Sequence, residues 1–291
     1  MKKLSLIYLA ILLVACAGVS GQATLPTLAP EANQADCDDV FIHVDGYEHD
    51  ESVIEMIDGK PIDGMLCYIK DRRLISKQTY KDGWEEGPAE WYYEHNACDP
   101  DDLEFCKVEA IAYFKQGLLN GRINKYYESG KLATEGTFLD GKRQGPQTDY
   151  YENGNLKSEI FLKDDQQHGL ATFYYESGGV SSTQYWVAGE GDGLTTNYDE
   201  TGKLKSEIFY KNGEKNGLAK EYDENEKLKT EIIYANGKKN EFAKEYYGNG
   251  QLKSEVVYKD DKLVGSAKYY YEDGALKYDA PVQYKPSLDV L

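Results

Sequence analysis

Four histidines, an acidic run and a file of regularly spaced glutamates are the residues of this chain whose types could do chemistry. His43, His49, His95 and His168 are scattered, with no Ser, Cys or second His at the spacing of a catalytic pair or a metal site, so incidental roles are expected. The run Asp99, Asp101, Asp102 and Glu104 offers oxygen ligands of the kind Ca²⁺ takes. It lacks the alternating acids and central glycine of a calcium loop, and a solvated loop is the simpler reading. Glu135, Glu159, Glu207, Glu231 and Glu255 could pair as the carboxylates of a glycosidase do. Catalysis needs one singular site, whereas this acid recurs along the chain; a ladder facing water and Lys157, Lys205, Lys229 and Lys253 accounts for it better. The sequence therefore predicts no catalytic residue, no cofactor and no metal.

Aromatic surface is the stronger candidate, since the chain holds 26 tyrosines and 3 tryptophans. Many tyrosines come as doublets, such as Tyr126-Tyr127, Tyr150-Tyr151, Tyr174-Tyr175 and Tyr246-Tyr247. In an extended chain a doublet puts one ring on each face. If the first ring is packed, Tyr127, Tyr151, Tyr175 and Tyr247 are exposed, and with Trp91 and Trp186 they form an amphipathic surface suited to a partner. The competing reading is that these rings support the neighbouring repeat.

The elements that must position these side chains follow from a repeat of 24 residues, seen in GLTTNYDETGKLKSEIFYKNGEKN (193–216) and GLAKEYDENEKLKTEIIYANGKKN (217–240). Its sixth place holds Tyr126, Tyr150, Tyr174, Tyr198, Tyr222, Tyr246 and Tyr270, and its twelfth Leu132, Leu156, Val180, Leu204, Leu228, Leu252 and Leu276. Apolar places alternate with period two, with Leu218, Tyr222, Leu228, Ile232 and Tyr234 on one parity. Turn signals such as Glu152-Asn153-Gly154 and Lys211-Asn212-Gly213 separate the runs, so each unit reads as a β-hairpin. The expected fold is all-β: an elongated single-layer meander of tandem 24-residue hairpins, twisted into a ribbon that advances roughly 9 to 10 Å per unit.

Around the array the chain divides as follows. Residues 1–15, with Lys2, Lys3 and a short apolar run, read as a signal peptide. Leu13-Val14-Ala15-Cys16 matches a lipobox, which would make Cys16 the acylated first residue of an anchored protein, followed by a flexible tether to residue 36. Ordinary cleavage after Ala17 is the alternative. An N-terminal cap (37–63, with strands at 40–44 and 53–57), the repeat array (64–279, with an insert at about 95–107) and a C-terminal tail (280–291) complete the chain. Cys37, Cys67, Cys98 and Cys106 are an even set in a chain expected to leave the cytosol, so disulfides are expected. Of three pairings, Cys98 with Cys106 is favoured because both lie in the insert, which leaves Cys37 with Cys67. A net charge of -18 disfavours nucleic acid and anionic lipid, and points to basic proteins or cations as charged partners.

The unit Gly-x4-Tyr-Tyr-Glu-x-Gly-x-Leu-x2-Glu-x2-Tyr-x2-Gly, over residues 64–279, resembles the variant MORN repeat of bacterial YwqK-like antitoxin proteins. More distantly it is similar to the MORN repeats of eukaryotic membrane-associated proteins, whose Gly-x-Gly is replaced here by Ser206-Glu207-Ile208. The resemblance implies a hairpin ribbon that binds a partner. The expected function is a non-enzymatic scaffold, lipid-anchored at the cell envelope on the outer membrane, that docks a protein partner and meets the membrane through its anchor only. Sequestration of a secreted toxin and glycan adhesion are the alternatives.

Overall fold

The computed structural model describes residues 41–43, 56–57, 60–61, 63–70, 73–93 and 106–281. Cys16, Cys37, Cys98, His49, His95, the acidic run at 99–104 and the tail beyond Pro281 lie outside the described residues. The chain forms two compact units, Met1–Gln167 and His168–Leu291. All regular elements among the described residues are strands, as an alternation of period two requires.

In the first unit an antiparallel meander runs from Gly64–Lys70 through Arg73–Lys81, Trp84–Tyr92, Val108–Lys115, Gly121–Tyr126, Leu132–Leu139 and Gly145–Tyr150 to Leu156–Lys163. Within the segment expected as a cap, Phe41–His43 lies parallel to Gly64–Lys70, with Phe41 opposite Cys67, and Met56–Ile57 pairs with Lys60–Pro61. In the second unit ten strands follow one another in the same way, from Gly169–Tyr174 and Val180–Val187 to Lys262–Tyr270 and Leu276–Pro281.

Two kinds of turn alternate, and both rest on left-handed backbone. The connection between units is a two-residue turn with positive φ at both positions, as at Asn212 and Gly213 (φ 50 and 77) and Asn236 and Gly237 (φ 50 and 76). This is the type I′ geometry whose twist matches that of the flanking strands. The turn inside each unit ends in a residue with φ near +90, at Gly130, Gly154, Gly178, Gly202, Gly250 and Gly274. In one unit that place is filled by Glu226, at φ 58.

A bulge in each second strand decides which residues are packed. Tyr222 is opposite Leu228 and Glu221 is opposite Thr230, so Lys229 is the extra residue. The parity expected for Leu218, Tyr222, Leu228, Ile232 and Tyr234 is therefore broken. Leu218, Lys220 and Tyr222 share a face with Glu231 and Ile233, while Ala219 and Glu221 share the other with Thr230, Ile232 and Tyr234. The second face is the packed one: Ala171, Ala219, Ala267 and Ser254 are buried on it in the second unit, as are Ile123, Ile160, Leu162 and Ser158 at the equivalent places of the first. We call it the alanine face and its opposite the glutamate face. Among the described residues only the front of the first unit is buried on both, because there Cys67, Leu74 and Tyr92 form a cluster against Cys106 and Val108 on the glutamate side. Cys67 and Cys106 are both disulfide-bonded.

A non-glycine side chain in left-handed backbone costs about 1 kcal/mol or more. Glu226→Gly is therefore expected to raise the stability of the second unit by under about 1 kcal/mol, the relief being offset in part by the entropy a glycine adds to the unfolded chain and by loss of the exposed 3.3 Å bond from the Leu204 N–H to the Glu226 carboxylate. A shift of the urea midpoint to higher concentration checks it; an unchanged or lower midpoint contradicts it.

Candidate binding faces of the repeat sheet

The second tyrosine of each doublet has a structural task that alternation alone does not reveal. Tyr93 donates its hydroxyl to the Tyr126 carbonyl at 2.6 Å, and Tyr127 to that of Tyr150 at 2.6 Å. In the second unit Tyr175 bonds the Tyr198 carbonyl at 2.7 Å, and Tyr247 that of Tyr270 at 2.8 Å. Each ring reaches one repeat onward and satisfies a carbonyl where the next hairpin enters its turn. Tyr127, Tyr151, Tyr175 and Tyr247 are consequently half-buried, and not exposed as the sequence pattern suggested. Tyr151 also lies under the Lys157 ammonium, 5.8 Å from the ring centre. Trp91 is half-buried with its ring 6.2 Å from Phe114. Trp186 is half-buried opposite Gly191, and its buried indole N–H has no partner. Within each unit the aromatics nominated from sequence are spread over successive hairpins of the alanine face.

The glutamate face carries a charged row set by strand register. Across the second unit Glu207, Lys220, Glu231, Lys244, Glu255, Lys268 and Asp279 stand opposite one another in turn. Lys244 and Glu255 approach to 3.4 Å. The lysines that interleave the glutamates are therefore Lys220, Lys244 and Lys268, in place of the expected Lys157, Lys205, Lys229 and Lys253. Lys253 instead pairs with Glu245 at 3.1 Å on the alanine face. The glutamates also accept hydrogen bonds from the sixth-place tyrosines: Tyr150 to Glu135 at 2.8 Å, Tyr222 to Glu207 at 2.6 Å and Tyr246 to Glu231 at 2.7 Å. Desolvation, then the carboxylate hydrogen bond and its charge, push these three phenols up to about 12.

Beside the charged row runs an apolar file, of which sequence reading singled out only Leu218, on the parity of Tyr222. Leu170 faces Tyr185, Leu194 faces Phe209, Leu218 faces Ile233 and Phe242 faces Val257. Leu170 is 59 % exposed, Phe209 45 %, Leu194 44 % and Leu218 40 %. The signal that could have found it is the recurrence of an apolar residue at place two, two residues before the lysine or threonine of the row. Among the described residues no group of three or more His, Cys, Asp and Glu side chains converges as a metal site would.

The staples and the tyrosine–glutamate pairs are open to measurement. Tyr127→Phe and Tyr247→Phe should each cost about 1 kcal/mol, the net worth of one hydrogen bond, read as a lower unfolding midpoint. Because the folded pKa of Tyr150, Tyr222 and Tyr246 lies above the ordinary value of 10.0, their stabilisation is complete below pH 10 and is lost as pH rises towards about 12. An ultraviolet phenolate titration should show a late-titrating fraction that shrinks in Tyr222→Phe and Tyr246→Phe.

Comparison with known proteins places these features in a family. The MORN repeat variant model matches residues 119–140, 143–164, 167–187, 191–212, 215–236, 243–260 and 263–284. No curated protein matches the chain. Among solved structures, one titled as the crystal structure of TcdB2-TccC3 matches at 12% identity with a TM-score of 0.19, over 78% of this chain and 15% of that one. Another, of TcdB2-TccC3-Cdc42, matches at 11% identity with a TM-score of 0.14, over 72% and 15%. The chain thus spans about 15% of the length of these two, and likenesses this slight carry no argument. The repeat itself is decisive: the seven matched segments make up over half of the sequence, and the chain belongs to the MORN repeat variant family.

Proposed function

We propose that this protein is a non-enzymatic scaffold whose glutamate face docks a protein partner, held at the cell envelope through an acylated Cys16 on the outer membrane. The observation that carries the docking surface is the apolar file of the second unit, in which Leu170, Tyr185, Leu194, Phe209, Leu218 and Val257 are exposed and Ile233 and Phe242 half-buried. Water-exposed apolar side chains in register and bordered by charges are the composition of an interface core with a polar rim. A partner matching it presents apolar side chains flanked by basic ones, since the whole chain carries a net charge of -18. The anchor rests on Leu13-Val14-Ala15-Cys16 and on the tether that follows it.

The aromatics of the alanine face enter this reading as support for the sheet and as a secondary contact surface. Replacing Tyr127, Tyr151 and Tyr175 together would remove hydroxyl staples at Tyr127 and Tyr175, so lost binding in that variant would not separate contact from folding. The cleaner variant is Leu170→Asn, Leu194→Asn and Leu218→Asn combined, on side chains that are already exposed.

Chemical cross-linking of the intact protein in its native envelope, followed by mass spectrometry, should yield a stoichiometric protein cross-linked near the leucine file. Its recovery should fall at least tenfold in the triple Asn variant, with far-ultraviolet circular dichroism unchanged. Equal recovery from the variant overturns docking on this face, and an N-terminal peptide without acylated Cys16 overturns the anchor.

A further inference from the structure

The alanine face of the second unit holds a shallow recess of about 580 Å³, open to solvent. Its floor is one register row, in which Ser182 stands opposite Asn197, Asn197 opposite Ser206 and Ser206 opposite Glu221. Lys205 and Lys229, the bulge residues, line its side, and Tyr175 lines one end with its hydroxyl held by the Tyr198 carbonyl. None of the lining side chains is aliphatic. A recess of this composition offers little to an apolar ligand.

The same row is self-satisfied in the first unit. There Asp149 accepts from Ser158 at 2.7 Å and from Thr134 at 2.8 Å. In the second unit the acid is replaced by Asn197, whose amide donates to Ser206 at 2.9 Å. Among the described residues the hydroxyls of Ser181 and Ser182 and the carbonyl oxygen of Asn197 then have no protein partner, and neither Lys205 nor Lys229 has an ion-pair partner. Three neutral hydrogen-bonding groups, two ammonium groups and the Glu221 carboxylate, which accepts from Thr230 at 3.3 Å, line the recess, with an immobilised ring at one end. A ligand able to use them carries many donors and acceptors on a compact frame, with C–H surfaces that can lie on an aromatic face.

We propose that this recess binds a saccharide, with Ser181, Ser182, Asn197 and Glu221 bonding its hydroxyls and Tyr175 giving it a stacking surface. This site lies on the face opposite the apolar file and does not rest on the protein-docking reading. An unmet Asn197 carbonyl oxygen and hydroxyl pair next to a fixed ring favour a polyol over a peptide, which would need apolar anchors that the recess lacks.

The test is titration of the isotope-labelled protein with oligosaccharides of hexose, of N-acetylhexosamine and of uronic acid at millimolar concentration, followed by amide chemical shifts. The expected result is saturable shifts at Ser181, Ser182, Asn197 and Ser206 with at least one of them. Asn197→Leu and Ser182→Ala should each weaken the affinity about tenfold, with spectra elsewhere unchanged, whereas the Leu170, Leu194 and Leu218 to Asn variant should bind as the parent does. Binding of the uronic acid chain alone, lost in Lys205→Gln, also supports the proposal and assigns the lysine to the sugar carboxylate. It is overturned by an absence of shifts with all three sugars, by shifts confined to the glutamate face, or by equal affinity in both recess variants.

Discussion

A carbonyl at the end of each hairpin's first strand is the group this repeat must satisfy. A strand within a sheet bonds its neighbours along its length, but where the chain leaves the ladder to turn, the last carbonyl needs another donor. The hydroxyls of Tyr93, Tyr127, Tyr175 and Tyr247 supply it from one repeat back. A second bond reaches the next turn's carbonyls, whether or not the tyrosine is present: Lys131 bonds the Glu152 carbonyl at 2.8 Å in the Tyr127 repeat, and where Asp199 or Asp223 takes the tyrosine's place, Lys203 bonds the Glu224 carbonyl at 2.6 Å and Lys227 that of Gly248. Repeat is thus tied to repeat by backbone pairing and by long polar side chains, so stability is built up from nearest-neighbour contacts.

The same constraint explains why the faces differ in chemistry. Packing sheet against sheet would have let large aliphatic residues fill both sides, but among the described residues only the front of the first unit is buried on both. Elsewhere the alanine face is closed by small residues such as Ala171, Ala219 and Ala267 beneath larger neighbours, and the glutamate face stays open to water. On that open face, alternating Glu and Lys across neighbouring strands avoid like charges in direct opposition, which would weaken the sheet. The sixth-place tyrosines lie over the row and donate to its carboxylates. The apolar file beside the row is left largely uncovered by the sheet.

Departures from the repeat mark where it stops being purely architectural. Thr183 stands where other units have glutamate and bonds Thr196 at 2.6 Å, so the charged row gives way to hydroxyls at that end. Asn197 replaces an acid and Trp186 fills a place held by tyrosine in the following units. These substitutions fall in adjacent units, and one of them, Asn197, opens the polar recess on the alanine face. A perfect repeat would have placed the same self-satisfied contacts at every step and left no singular site.

By itself the sequence determined the repeat length, the hairpins and their turns, because glycine and Asn-Gly signals and period-two alternation are local properties of the chain. It also showed that the carboxylate recurs along the chain, since recurrence is visible without coordinates. Only the tertiary structure decided which side of each strand is packed. The bulge at Lys229 and its equivalents adds one residue to the second strand, and one residue exchanges faces; this moved Leu218 out to solvent and put Ile232 and Tyr234 beside Ala219. The roles of the paired tyrosines were hidden for a related reason. A hydroxyl that bonds a carbonyl one repeat away leaves no local trace in the sequence, so Tyr127 and Tyr247 looked like contact residues until the register of the neighbouring hairpin showed what they hold.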